Sequence, residues 1–151
     1  MKISATHHDF IRAIVSGDTR TADELNERIP QTERRDFHVF VSAFFALMLE
    51  QRFKDDSSRE TISTFVDEMR HDFRNANPPM QPLVVEALIR AHCGEDHLFE
   101  ELSATDVYRA EFQVIVKVGT QTPEVRERLG DFLADAERLA QSWSAEAEES
   151  A

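Results

Sequence analysis

The chain has 151 residues, of which 41% are hydrophobic and 30% charged, a balance that suits one globular domain and excludes a disordered chain. Its net charge is −12, and the acids are concentrated late: residues 1–54 carry eight acidic and eight basic residues, whereas residues 91–151 carry 14 and five. Because nucleic-acid binders need a basic face, we do not expect the chain to bind nucleic acid.

The cysteine count and the apolar stretches limit the cellular setting. A single cysteine, Cys93, excludes an internal disulfide and a zinc site made of four cysteines. The first residues lack the apolar segment of a secretion signal, and the longest apolar stretch, residues 37–49, is too short to cross a bilayer. We therefore expect a cytoplasmic protein with no contact to a membrane.

The low glycine content and the spacing of apolar residues predict an all-helical chain. The first helix is predicted over residues 6–16, and Gly17 closes it in the left-handed conformation that glycine accepts. The second helix is predicted over residues 21–29, and Pro30 stops it because proline lacks a backbone donor.

The third predicted helix, residues 32–53, is apolar almost all round, which is typical of a helix in the middle of a structure. The fourth opens with the capping-box pattern Ser57-x-x-Glu60 and ends before residues 75–80, a segment rich in Asn and Pro. This segment is the strongest break in the chain and would be the seam if the domain had two parts.

Two further helices are predicted from their end signals. The fifth covers residues 82–93 and is closed by Gly94. The sixth opens with a second capping-box pattern at Ser103 and runs to Val118, with Gly119 as its closing residue. Residues 11–25 and 89–102 share a helix–Gly–helix pattern, which either an internal repeat or two similar hairpins would produce.

The last predicted helix begins at Thr122 and Pro123, a favoured pair at a helix start. From Val125 to Trp143 its apolar residues recur at intervals of 4, 3, 4, 3 and 4, which is the spacing of a heptad seam. Leu133 and Ala140 widen this stripe, which leaves apolar surface that a second copy of the helix could cover. We therefore predict a homodimer through this helix. The interface candidates are Val125, Leu129, Phe132, Leu133, Leu139 and Trp143.

The predicted fold is therefore all-α, a compact bundle or orthogonal array of about seven helices with the helix of residues 32–53 at its centre. We expect a single domain over residues 1–143 and a frayed acidic tail over residues 144–151.

Two groups of His, Cys and Glu residues resemble metal-ligand spacings. One is Glu68-x-x-His71, which matches one half of a di-iron element. The other contains His92, Cys93, His97 and Glu101. With 17 Glu and six His in the chain, such pairs arise by chance, so we expect no metal and no cofactor.

Two weaker patterns lie near the third helix. His38 and Ser42 are four residues apart, so they could form the polar wall of a pocket, although such a serine more often bonds to its own helix. Residues 21–41 resemble a helix-turn-helix with arginines at the start of the second helix, but that helix is the most apolar in the chain.

The sequence offers no nucleophile with a base and an orienting group, so no catalytic residue is assigned. The leading hypothesis is a noncatalytic helical module that binds another protein or a second copy of itself. The alternatives are an acidic inhibitor or immunity-type protein that covers a basic enzyme, a ligand- or metal-binding helical bundle, and a weak helix-turn-helix DNA binder.

Overall fold

The computed structural model describes residues 1–150, which are 79% helical and contain no strand, so the fold is all-α. None of the described helices combines the length and the hydropathy needed to cross a bilayer. The α-helices are α1 (Ala5–Val15), α2 (Thr19–Arg28), α3 (Arg34–Phe53), α4 (Arg59–Asp72), α5 (Pro82–His92), α6 (Ala104–Gln121), α7 (Pro123–Glu127) and α8 (Leu129–Glu149), with 3₁₀ helices at Gln31–Glu33 and Asp96–Glu101.

Side chains at the helix starts accept the backbone N–H groups that have no partner within the helix. The Ser4 hydroxyl accepts from the backbone N–H of His7 at the start of α1, and Ser103 does the same for Asp106 in α6. The N-cap of α4 is Ser58, which accepts from Thr61, so the predicted capping box at Ser57 is one residue early.

The glycines that follow α1 and α5 close those helices as predicted. Gly17 has a φ of 80° and Gly94 a φ of 120°, a region that L side chains rarely adopt. Both helices contain 11 residues, and a single C-cap residue separates each from its glycine. The two segments thus share the same local ending, and whether they form a true repeat stays an open prediction.

The chain divides into two compact units. The first contains Met1–Met48 and the described residues from Ile115 onward, and the second contains Leu49–Val114. The segment 75–80, predicted as the seam, lies inside the second unit. The boundaries fall within α3 and α6 instead, so each of these helices contributes to both units.

The core of the first unit is built on the apolar run of α3. Phe37, Phe40 and Phe44 have no exposed surface, and the ring of Phe37 meets that of Phe10 edge-on with 5.0 Å between centroids. Ile11 of α1 and Ile115 of α6 are also fully buried. The aromatic residues that predicted a buried third helix are therefore core residues.

The second unit combines an aromatic contact with a salt-bridge network. The Phe53 and Phe65 rings meet at 5.2 Å, and the Arg52 guanidinium lies 5.1 Å from the centroid of the Phe65 ring. The Glu95 carboxylate accepts from Arg59 of α4 at 2.7 Å and from Arg90 of α5 at 2.7 and 2.8 Å. These two guanidinium groups hold the pKa of Glu95 at about 2.

Helix α6 does not end at Val118 as predicted but continues to Gln121, which places Gly119 inside the helix. A β-carbon on Gly119 would lie 2.9 Å from the Cα of Val15, so glycine is required here by the close approach of α1. The last carbonyls of α6 accept from Arg126, whose Nη1 lies 2.8 Å from the oxygen of Gly119 and 2.9 Å from that of Thr120.

The predicted seventh helix is two helices. Helix α7 ends at Glu127 and α8 begins at Leu129, because Arg128 has φ −112° and ψ 25°, outside the helical region. The predicted domain end at residue 143 lies inside α8, which continues to Glu149. Residues 144–149, which were predicted to belong to a frayed tail, are therefore helical.

Candidate functional site

The six interface candidates at the C-terminal end divide by burial into two groups. Val125 of α7 and Leu133 of α8 are buried, with 0% and 1% exposure, so they are core residues of the first unit. The other four, which are half-buried along α8, form what we call the α8 strip: Leu129, Phe132, Leu139 and Trp143.

The helical period explains this division. The buried face of α8 consists of Leu133, Ala136 and Ala140, which recur at intervals of three and four residues. At 100° per residue, Phe132, Leu139 and Trp143 lie on one flank of that face. The predicted seam is therefore split: Val125 and Ala136 are buried, whereas Phe132, Leu139 and Trp143 are left partly exposed at the edge of the contact face.

Charged residues lie on the solvent side of the α8 strip. Residues 122–150 contain eight acidic and three basic residues. All three bases are engaged locally, since Arg138 pairs with Asp135, Arg128 lies 3.3 Å from Glu124 and Arg126 donates to the last carbonyls of α6. The strip is thus an apolar edge on a strongly acidic segment.

A groove of about 380 Å³ lies beside Trp143, between α3 and α8. Its α3 wall contains Arg35, His38 and Ser42, which share one helical face. Its α8 wall contains Trp143, Ala147 and Glu148. We call this cavity the α3–α8 groove. It includes the two residues, His38 and Ser42, that the sequence suggested as a polar pocket wall.

The two arginines at the start of α3 have different roles. Arg34 donates to the side-chain oxygen and to the carbonyl oxygen of Asn26, both at 2.5 Å, and so ties α3 to the end of α2. Arg35 lines the groove, and its side chain forms no ion pair or hydrogen bond with residues 1–150. In the helix-turn-helix interpretation both would face DNA, but Arg34 is already engaged and Phe37 and Phe40 of the same helix are fully buried.

The metal-ligand candidates lie in the second unit, on the surface. Glu68 and His71 are exposed on α4, and His92, at the end of α5, packs its ring edge-on against Phe99 at 5.0 Å. The other three are the helix-capping Cys93, whose thiol pKa is raised by burial, and His97 and Glu101 on the 3₁₀ helix. Within residues 1–150, no group of three or more His, Cys, Asp or Glu side chains is arranged to hold a metal ion.

Sequence reasoning missed a buried histidine and its carboxylate. His7 of α1 has no exposed surface, and its Nε2 lies 3.1 Å from the Glu33 carboxylate. Its Nδ1 accepts from the backbone N–H of Ser4 at 3.2 Å, which favours the neutral ring. The only local signal was the Ser4-x-x-His7 spacing, since His7 completes the capping box of α1.

This Ser–His–Glu group is a structural contact and not a catalytic one. The Ser4 hydroxyl accepts from the backbone N–H of His7 and does not meet the imidazole ring that would activate it. The ring packs at 5.2 Å from Phe37 and has no access to solvent. Burial also lowers the pKa of His7, more than the neighbouring Glu33 raises it.

The chain matches no protein-family model, no curated protein and no solved structure.

Proposed function

We propose that this chain is a noncatalytic helical module that binds a cationic protein through the α8 strip. The observation that carries the proposal is the strip itself: four large apolar side chains stay partly exposed at the edge of an acidic helix. A basic enzyme that is inhibited when this edge covers it would be one such partner.

The apolar part of the proposal rests on the position of the strip beside the buried face. From Leu129 to Trp143 the strip extends ~21 Å along the helix, at 1.5 Å per residue. Partly exposed Phe and Trp side chains are the residue types that contribute most to protein interfaces, because a partner can remove a large apolar area from water. A partner helix laid along α8 would cover this whole length.

The charge part of the proposal selects the partner. Eight acids against three bases give residues 122–150 a net charge of −5. Two copies meeting through this segment would bring like charges together, whereas a cationic partner would be attracted and steered towards the strip. We therefore favour a basic protein over the homodimer predicted from the seam.

The noncatalytic part of the proposal rests on the side chains near the strip. In the close His7–Glu33 pair the imidazole ring is buried, and the serine beside it donates no proton to the ring. His8 stacks on the Phe40 ring at 5.1 Å and lies 3.5 Å from Glu137, which fixes it between helices. These histidines are engaged in packing and helix contacts.

The experiment compares the wild-type chain with a double variant, Phe132→Gln with Leu139→Gln. A matched control, Leu83→Ala, removes an apolar side chain of α5 that is 81% exposed. Each protein is immobilised and incubated with lysate of the native host at low and at high salt. Bound proteins are identified by mass spectrometry, and the purified partner is then titrated by calorimetry.

We expect a basic partner that binds the wild type and the Leu83→Ala control, and that loses affinity with rising salt because screening weakens charge attraction. The double variant should stay folded, with a melting temperature lowered by only a few degrees, but bind at least about tenfold more weakly. A homodimer that the double variant dissociates in light scattering would contradict the cationic partner. Equal binding by all three proteins would show that the partner does not bind through the α8 strip.

We also propose that the helices pack as a bundle around α3, that the chain forms a single domain, and that the protein is cytoplasmic.

A further inference from the structure

The α3–α8 groove contains opposite charges beside an apolar wall. Arg35 of α3 and Glu148 of α8 both line it, and neither side chain forms an ion pair or hydrogen bond with residues 1–150. Asp36, the other carboxylate of the lining, already accepts from the backbone N–H of Lys2 at 2.9 Å. The groove therefore offers a guanidinium and a carboxylate that are free of partners in the part of the chain described.

The rest of the lining is suited to an apolar group. Trp143, Val39 and Ala147 contribute apolar surface, and the indole provides a flat face for stacking. The volume of about 380 Å³ lies within the range of small-molecule sites, which are mostly apolar with a few placed polar groups. A molecule held here would meet a positive charge, a negative charge and an aromatic ring.

We propose that the α3–α8 groove binds a small zwitterion with an apolar side chain, of the α-amino-acid class. Arg35 holds the carboxylate of the ligand, because a guanidinium donates two parallel hydrogen bonds to such a group. Glu148 holds its ammonium, and Trp143 covers its apolar side chain. The groove shares Trp143 with the α8 strip, but the two sites are tested separately, since the double variant of the strip leaves Trp143, Arg35 and Glu148 in place.

The chain carries its own reporter for this test, since Trp143 is its single tryptophan. Four probes are titrated while tryptophan emission is recorded, with calorimetry as a second readout. L-phenylalanine has both charges, L-phenylalaninamide lacks the carboxylate, N-acetyl-L-phenylalanine lacks the ammonium, and N-acetyl-L-phenylalaninamide lacks both.

We expect saturable binding of L-phenylalanine and at least about tenfold weaker binding of each singly charged probe, the loss typical of one charged hydrogen bond. The Arg35→Gln variant should remove the advantage of phenylalanine over phenylalaninamide. The Glu148→Gln variant should remove its advantage over N-acetylphenylalanine. Each variant should thus lose only the discrimination that depends on its own charge.

Two controls separate the groove from general charge effects. Arg20→Gln changes an arginine of α2 whose side chain is 92% exposed, and Glu146→Gln changes an exposed residue of α8 outside the groove lining. Both should bind phenylalanine as the wild type does. The proposal is overturned if neither readout saturates with any probe, if phenylalaninamide binds as tightly as phenylalanine, or if the groove variants behave like the controls.

Discussion

Replacing Gly119 by alanine tests the contact between α1 and α6 that the fold requires. A β-carbon at this position would lie 2.9 Å from the Cα, 3.0 Å from the Cγ1 and 3.1 Å from the carbonyl oxygen of Val15. Two of these three atoms belong to the backbone of α1, so no side-chain rotation relieves the overlap. The helices must separate, or α1 must shift.

The magnitude follows from two opposing effects. Overpacking in a close-packed core costs about 1–3 kcal/mol, and a backbone clash belongs at the upper end. Alanine is favoured over glycine inside a helix by about 1 kcal/mol. We therefore expect Gly119→Ala to lower the free energy of unfolding by about 2 kcal/mol, which for a chain of this length is a fall of roughly 6 °C in melting temperature.

Gly130 provides the matched control, because it lies in α8 and a β-carbon there meets no atom within 4 Å. Gly130→Ala should raise the free energy of unfolding by about 0.5 kcal/mol, since alanine is the better helix former. Thermal and urea unfolding followed by circular dichroism would measure both. If Gly119→Ala stabilises the protein as Gly130→Ala does, then α1 and α6 do not meet at Val15 and the packing argument is refuted.

Three further predictions concern titrating and buried groups. Burial lowers the pKa of His7 from 6.5, so the unfolded chain takes up the proton first and the free energy of unfolding falls as the pH falls below about 6.5. His7→Gln should reduce this dependence in urea unfolding between about pH 8 and 5.5 without abolishing it, since burial lowers the pKa values of His38 and His92 as well; an unchanged dependence would contradict the role of His7. The Glu95 carboxylate, with a pKa of about 2, stabilises the fold above pH 4.5 and loses this effect as the pH falls towards 2. Glu95→Gln should therefore lower the free energy of unfolding at pH 7 and reduce the difference in this free energy between pH 7 and pH 3. An unchanged difference would show that the contact of Glu95 with Arg59 and Arg90 does not stabilise the fold. Leu133→Asp buries a charge and should lower the free energy of unfolding by about 3 kcal/mol or more, against about 1 kcal/mol for the half-buried Phe132→Asp; equal losses would show that the buried face of α8 is assigned incorrectly.

The sequence predicted those helix ends that depend on local chemistry. Gly17 and Gly94 close their helices because a positive φ is a property of the residue itself. Ser103 and Pro123 start theirs because capping and the fixed φ of proline act within one turn. The apolar run of α3 predicted a buried helix, because a helix without a polar face has no surface to show to water.

The features that sequence reasoning missed depend on residues far apart in the chain. Gly119 looked like a helix end, but its role is set by Val15, more than 100 positions away. His7 meets Glu33 only because α1 lies against the start of α3. The break at Arg128 was hidden because the heptad spacing continues across it and the residue is neither Gly nor Pro.

The candidate sites also depend on residues that are far apart in the chain. Spacing found His38 and Ser42 on one face of α3, but the opposite wall of the groove comes from Trp143 and Glu148 at the far end of the sequence. Periodicity also placed five of the six interface candidates on one seam, with Leu133 beside it, because a heptad pattern does not show which edge of a helix its neighbours cover.

The positions of the unit boundaries affect how the chain responds to proteases. The bonds 48–49 and 114–115 lie inside α3 and α6, and a protease accepts only extended backbone, so these helices would have to unwind before cleavage there. Cleavage should begin in exposed non-helical segments such as 54–58 and 77–79, both of which belong to the second unit. Limited digestion should therefore nick the second unit internally and should not release either unit as an intact fragment.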